Sequence, residues 1–132
     1  MTPPSGRPTV LIVDEDVGFI WWLGEIFSEL GYQVVPALNP TQALALLAET
    51  NFVADLVVVN AALWGVSTML EQLSRPRTPG VVLIENPDFD AIPGIRARAM
   101  LERPSGWEPV SRTEWLRKVR RVIQQLGNRA AG

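Results

Sequence analysis

The chain of 132 residues contains neither cysteine nor histidine. The first absence removes disulfides, thiolate metal sites and thiol nucleophiles together. The second removes Ser–His catalysis, imidazole metal ligation and phosphohistidine chemistry within the chain. An excess of charge is missing too: 12 Lys and Arg against 14 Asp and Glu leave a net −2. Composition therefore gives no electrostatic reason to expect a nucleic acid or an anionic membrane as partner. No apolar run approaches the ~20 residues needed to span a bilayer. The opening residues Met1 to Pro8 lack an apolar stretch and read as a flexible lead-in rather than a signal peptide. A cytoplasmic protein is the expectation.

What is present is one domain's worth of chain with 47% hydrophobic residues, ordinary for a globular protein. Its organising stretch is Ala54-Asp55-Leu56-Val57-Val58-Val59-Asn60-Ala61, a short apolar run that ends abruptly in a polar side chain. A strand buried on both faces of a parallel sheet reads this way. Its carboxyl end points into the crevice where open α/β sheets place their chemistry. Two more apolar runs end alike, Leu11-Ile12-Val13 before Asp14-Glu15-Asp16 and Val81-Val82-Leu83-Ile84 before Glu85. Side by side, these strands gather Asp14, Glu15, Asn60 and Glu85 around one pocket.

Strand and helix signals alternate along the chain. Thr9 to Val13 is a strand, and Asp16 caps a helix over about Val17 to Leu30 that Gly31 closes. Phe19, Ile20, Leu23, Ile26, Phe27 and Leu30 form its apolar stripe, with Trp22 on the edge and Trp21 on the polar side. Tyr32 to Val35 is a strand, and Asn39-Pro40 opens a helix whose inner face is Ala43, Leu44, Leu47 and Ala48. After Asn60, a weaker helix turns Met69, Leu70 and Leu73 inward, and Val81 to Ile84 is the fourth strand. Pro87 and Pro93 leave the fourth helix room for about one turn around Asp88 to Ile92. Ala97 to Leu101 is the fifth strand. Ser111-Arg112-Thr113-Glu114 is a capping-box pattern for the last helix, about Arg112 to Leu126, which Gly127 ends. Trp115, Leu116, Val119, Val122, Ile123 and Leu126 face inward there, and Arg117, Lys118, Arg120 and Arg121 outward. Connections this short imply right-handed parallel crossovers. The expected fold is α/β, a doubly wound five-stranded parallel sheet with a lead-in over 1–8, a domain over 9–127 and a tail over 128–132.

With these elements in order, the sequence resembles the receiver domain of two-component response regulators, from about Thr9 to Leu126. Val10 to Asp16 is similar to that family's first strand and acidic pair, Gly31 to Val35 to its second strand, and Ala54 to Val59 to the strand leading to the phosphoacceptor aspartate. The resemblance implies a flavodoxin-like sheet of order 2-1-3-4-5 with a shortened fourth helix. It also locates departures. Asn60 stands at the phosphoacceptor position and Glu85 at the switch Thr/Ser position. Trp64 sits about where a proline usually follows, either capping the pocket or filling the space. The family's lysine aligns with Arg103 before Pro104, or in a less favoured register with Glu108 before Pro109.

Phosphorylation in that family needs a carboxylate nucleophile and a divalent cation. The neutral amide of Asn60 is a very poor nucleophile. Glu15 and the Asn60 oxygen remain as donors for a weakened Mg²⁺ site, so no cofactor is expected beyond weakly held Mg²⁺. A carboxylate at Glu85 would repel a phosphoryl group, at a cost on the order of a few kcal/mol for charges ~4 Å apart near a protein surface. The expectation is a pseudo-receiver that is not an enzyme and is not phosphorylated. Either Arg103 pairs with Glu85 or Asp14 and fixes the site in one state, or the pocket has decayed. The basic face of the last helix and the indole of Trp21 are the candidate contacts for a protein partner, a homodimer included, while Trp107 plugs the shortened fourth-helix region or joins an interface. Two other readings remain: a Mg²⁺-dependent receiver using Asp14 or Glu15, and a small-ligand flavodoxin-like domain. The latter lacks a glycine- or hydroxyl-rich phosphate loop after the first strand.

Overall fold

Two apolar faces on every central strand set the architecture. In the computed structural model, which describes residues 7–49, 51–73, 80–85, 100–102 and 112–131, the elements are β1 (Thr9–Val13), α1 (Val17–Glu29), β2 (Gln33–Ala37), α2 (Pro40–Leu47), β3 (Leu56–Asn60), α3 (Val66–Leu73), β4 (Gly80–Glu85), β5 (Met100–Glu102) and α4 (Arg112–Ala131). The strands run parallel in the order β2-β1-β3-β4-β5. Side chains alternate between the faces with period two. Val10, Ile12, Leu56, Val58, Val82 and Ile84 join the core beneath α1 and α4. Leu11, Val13, Val57, Val59, Val81 and Leu83 join the core beneath α2 and α3. Full burial of each such aliphatic side chain contributes roughly 1.5–3 kcal/mol, so a strand buried on both sides anchors two layers at once.

The helices begin and end where side-chain chemistry dictates. Asp16 accepts from the Phe19 amide at 3.1 Å, and Asn39 from the Gln42 amide at 2.8 Å, satisfying donors that the first turn leaves open. α1 ends in a Schellman turn: the Tyr32 amide donates to the Phe27 carbonyl and the Gly31 amide to the Ser28 carbonyl. Gly31 takes φ 96°, a left-handed conformation natural to glycine. The Phe27 and Tyr32 rings close the turn edge-to-face at 5.5 Å. Across the α1–α4 layer, Trp115 stacks edge-on against Trp22 at 5.0 Å and Phe19 at 6.3 Å. The Arg112–Glu29 ion pair bridges the same two helices at 2.6 Å.

Several boundaries differ from the sequence reading. β2 runs on through Pro36 to Ala37, because an edge strand tolerates a proline with no amide to donate. Ala48 is exposed as the C-cap of α2 rather than turned inward. α4 continues through Gly127 to Ala131, since one helical glycine costs only about 1 kcal/mol and stops nothing unaided. The shortened fourth helix, Ala97 to Ala99 of the expected fifth strand, Ser111 and Trp107 lie outside the described residues. Among the described residues, no helix is long and apolar enough to cross a membrane.

Candidate functional site

Register brings the polar strand ends together. Val13 of β1 lies opposite Val59 of β3, and Asn60 lies opposite Ile84 of β4. Asp14 and Asn60 are thus the next positions on adjacent strands, whose axes in a sheet are about 4.8 Å apart. Glu85 follows one position on, at the carboxyl end of β4 and in register with Glu102 of β5. Arg103 and Glu108, the two candidates for the lysine position, lie outside the described residues.

Asp14 and Asn60 are the buried polar side chains of the described core, at 1% and 6% exposure. The Asp14 amide donates to the Ala37 carbonyl at 3.0 Å, locking the end of β1 to β2. Its Oδ1 accepts from the Asp16 amide at 2.9 Å, and Asp16 in turn caps α1. Asn60 Oδ1 accepts from the Ala62 amide at 2.9 Å, an Asx turn that folds the chain away from the strand. The Ala61 amide donates to the Ile84 carbonyl at 2.9 Å, so both sides of the turn are pinned. Glu15, by contrast, is exposed. The acidic pair therefore splits in environment, one acid in the protein and one in water.

Trp64 stands four residues beyond Asn60 and is 93% exposed. It lines a surface hollow of ≈ 430 Å³ with Pro40, Thr41, Leu44, Leu63 and residues 65–68, between the amino ends of α2 and α3. Sequence reading missed this hollow because two helices distant in sequence build it. Nor did periodicity reveal that Trp22 and Trp115 stack, although the stripe and its edge contained both. Of the outward-facing residues singled out from sequence, Trp21 is 70% exposed, and Arg117, Lys118, Arg120 and Arg121 are exposed. Among the described residues, no group of three or more Asp, Glu, His or Cys is placed to hold a metal ion.

Chemically, the site offers one buried carboxylate and one neutral amide whose oxygen is already engaged. An amide nitrogen whose lone pair is delocalised does not attack phosphorus, and the amide oxygen carries no charge to share with a cation.

No protein-family model matches the sequence, and no curated protein matches it. Solved structures do. The chain is similar to the signal receiver domain of an HD domain-containing protein from Pseudomonas fluorescens Pf-5, at 26% identity over 99% of this chain and 97% of that one, with a TM-score of 0.68. It is similar in fold to the chemotaxis response regulator CheY4 of Vibrio cholerae, at 16% identity, 88% and 98% coverage and a TM-score of 0.65. It is likewise similar to the signal receiver domain of a signal transduction histidine kinase from Syntrophus aciditrophicus, at 19% identity, 89% and 90% coverage and a TM-score of 0.65. The strand order, the buried strand ends and these likenesses together give the chain the α/β, flavodoxin-like fold of the response-regulator receiver domains.

Proposed function

We propose that this chain is a receiver-type module of two-component signalling that accepts no phosphoryl group at position 60 and acts through protein contacts rather than catalysis. The observation that carries the reading is Asn60 itself. It occupies the carboxyl end of the central strand, buried beside Asp14, with its oxygen held by the Ala62 amide. A carboxylate at this place would be nucleophile and charged cation ligand in one group; the amide is no nucleophile and offers a cation only a neutral oxygen. Among the described residues the fit to Mg²⁺ is poor, because Asp14 is the one buried carboxylate and the neighbouring Asn60 oxygen is neutral and accepts from the Ala62 amide. Retaining the amide keeps the turn but not the chemistry.

Intact-mass spectrometry after incubation with acetyl phosphate and Mg²⁺ tests the reading directly. The wild-type chain is expected to show no phosphoryl adduct. A hydroxylamine-labile adduct, the mark of an acyl phosphate on one of its carboxylates, would overturn the proposal in favour of a receiver with a displaced acceptor.

A further inference from the structure

Among the described residues Trp64 is the most exposed large apolar side chain, at 93%, and neither core uses it. The loop that presents it is fixed. Asn60 Oδ1 accepts from the Ala62 amide, the Leu63 amide donates to the Asn60 carbonyl, and Gly65, at φ 90°, turns the chain into α3. An indole held this way has apolar area left to bury and one N–H to donate. The hollow beside it is lined by the apolar surface of Pro40 and Leu44 and by the exposed residues Thr41, Ser67 and Thr68, which carry hydroxyls; no lining residue is charged. Such a hollow gives a charged side chain nothing to pair with. A helix has few free carbonyls for hydroxyl donors, and an added strand needs a sheet edge. A polyproline II segment suits it better, because its carbonyls are free and its rings pack against aromatic faces.

The chain contains such a segment, Thr2-Pro3-Pro4-Ser5-Gly6, with adjacent prolines and no charged side chain. Residues 1–6 lie outside the described residues, but their point of attachment does not. The Pro8 carbonyl accepts from the Gln33 amide at 2.8 Å, at the amino edge of the sheet. The hollow lies at the opposite edge, where α2 and α3 begin. The five residues of β1 rise about 16 Å between those edges. Pro3 and Pro4 reach no further than about 14 Å from Arg7 at full extension. They fall short of their own hollow, and a second copy can supply them.

We infer that the Trp64 hollow is a site for a proline-rich segment and that its occupant is the lead-in of a second copy, with Pro3 and Pro4 packed on the indole and backbone carbonyls accepting from the rim hydroxyls. The contact joins unlike surfaces and is heterologous, closing as a pair when two copies exchange lead-ins. A stiff proline pair and a fixed loop both lose little freedom on docking, which favours binding at so small a site. The inference rests on the contact-based reading above and supplies one contact for it. Its test involves no phosphodonor, so its failure leaves the reading of position 60 standing.

The experiment is a complementation read by nuclear magnetic resonance at the indole N–H of Trp64, a signal identified by its loss in Trp64→Ala. The ¹⁵N-labelled chain carries Pro3→Ala and Pro4→Ala, so its hollow is intact and its lead-in altered. Unlabelled Trp64→Ala, with the native lead-in and a broken hollow, is expected to shift that signal saturably. An unlabelled chain carrying all three substitutions is expected to bind at least about tenfold more weakly. Far-UV circular dichroism checks that each variant folds. Because the signal belongs to the hollow, association through any other face does not imitate the result. No shift from the Trp64→Ala chain overturns the inference, as does an equal shift from the triple variant. A synthetic decaproline that shifts the signal where the Trp64→Ala chain does not would also overturn it, by assigning the hollow to a different protein's segment.

Discussion

Asn60 and Asp14 show how much one atom pair decides. Asn60→Asp changes an amide nitrogen to an oxygen, keeps an acceptor for the Ala62 amide and sets a second buried carboxylate next to the first. Like charges in a desolvated site oppose each other, so this variant is expected to lose about 1–3 kcal/mol at neutral pH by denaturant titration. Millimolar Mg²⁺ should return part of that loss by binding the folded state, and leave the melting of wild type unmoved. Equal Mg²⁺ responses in the two proteins would remove the basis for calling position 60 decisive. The Tyr32 phenol is pushed above its ordinary value of 10.0 by burial and, less, by the Asp55 carboxylate. The unfolded chain releases this proton at lower pH than the folded one. The stabilising contribution is therefore complete below pH 10.0 and is lost as pH rises beyond it. Tyr32→Phe should make the alkaline limb of a pH–stability curve shallower; an unaltered limb would show that Tyr32 does not contribute.

At the scale of elements, the α1–α4 layer depends on aromatic packing more than on its ion pair. Trp115 is 2% exposed and touches both Phe19 and Trp22, so Trp115→Ala is expected to cost about 3–5 kcal/mol. The Arg112–Glu29 pair is half exposed on both sides, and Arg112→Ala should cost at most about 1 kcal/mol. Thermal melts of the two variants test this order, and a larger loss for Arg112→Ala would reverse it. Most of these elements were legible in the sequence. Asp16, Asn39 and Gly31 announce helix ends through chemistry local to a few residues. The errors fell where the deciding partner is remote. Pro36 looks like a stop until β2 is known to be an edge strand, and Gly127 looks like a cap until the helix is seen to continue past it.

At the scale of the molecule, both cores share the sheet, every central strand contributing to each. Loss of either layer exposes the other face, so unfolding is expected to be one cooperative step. Urea titrations followed by tryptophan fluorescence, which reports Trp22 and Trp115, and by far-UV circular dichroism should coincide; separated midpoints would mean that the layers unfold independently. The alternation of strand and helix, the parallel pairing and the position of Asn60 at the end of the central strand were legible in the linear chain. Those follow from local periodicity, turn chemistry and crossover handedness, which a linear chain carries openly. Tertiary packing settled that Asp14 is buried while Glu15 meets water, that the Asn60 oxygen is held by Ala62, and that Trp64 is exposed beside a hollow between α2 and α3. Burial and hydrogen bonding of a side chain depend on what distant segments place around it, and no short window of sequence contains those segments.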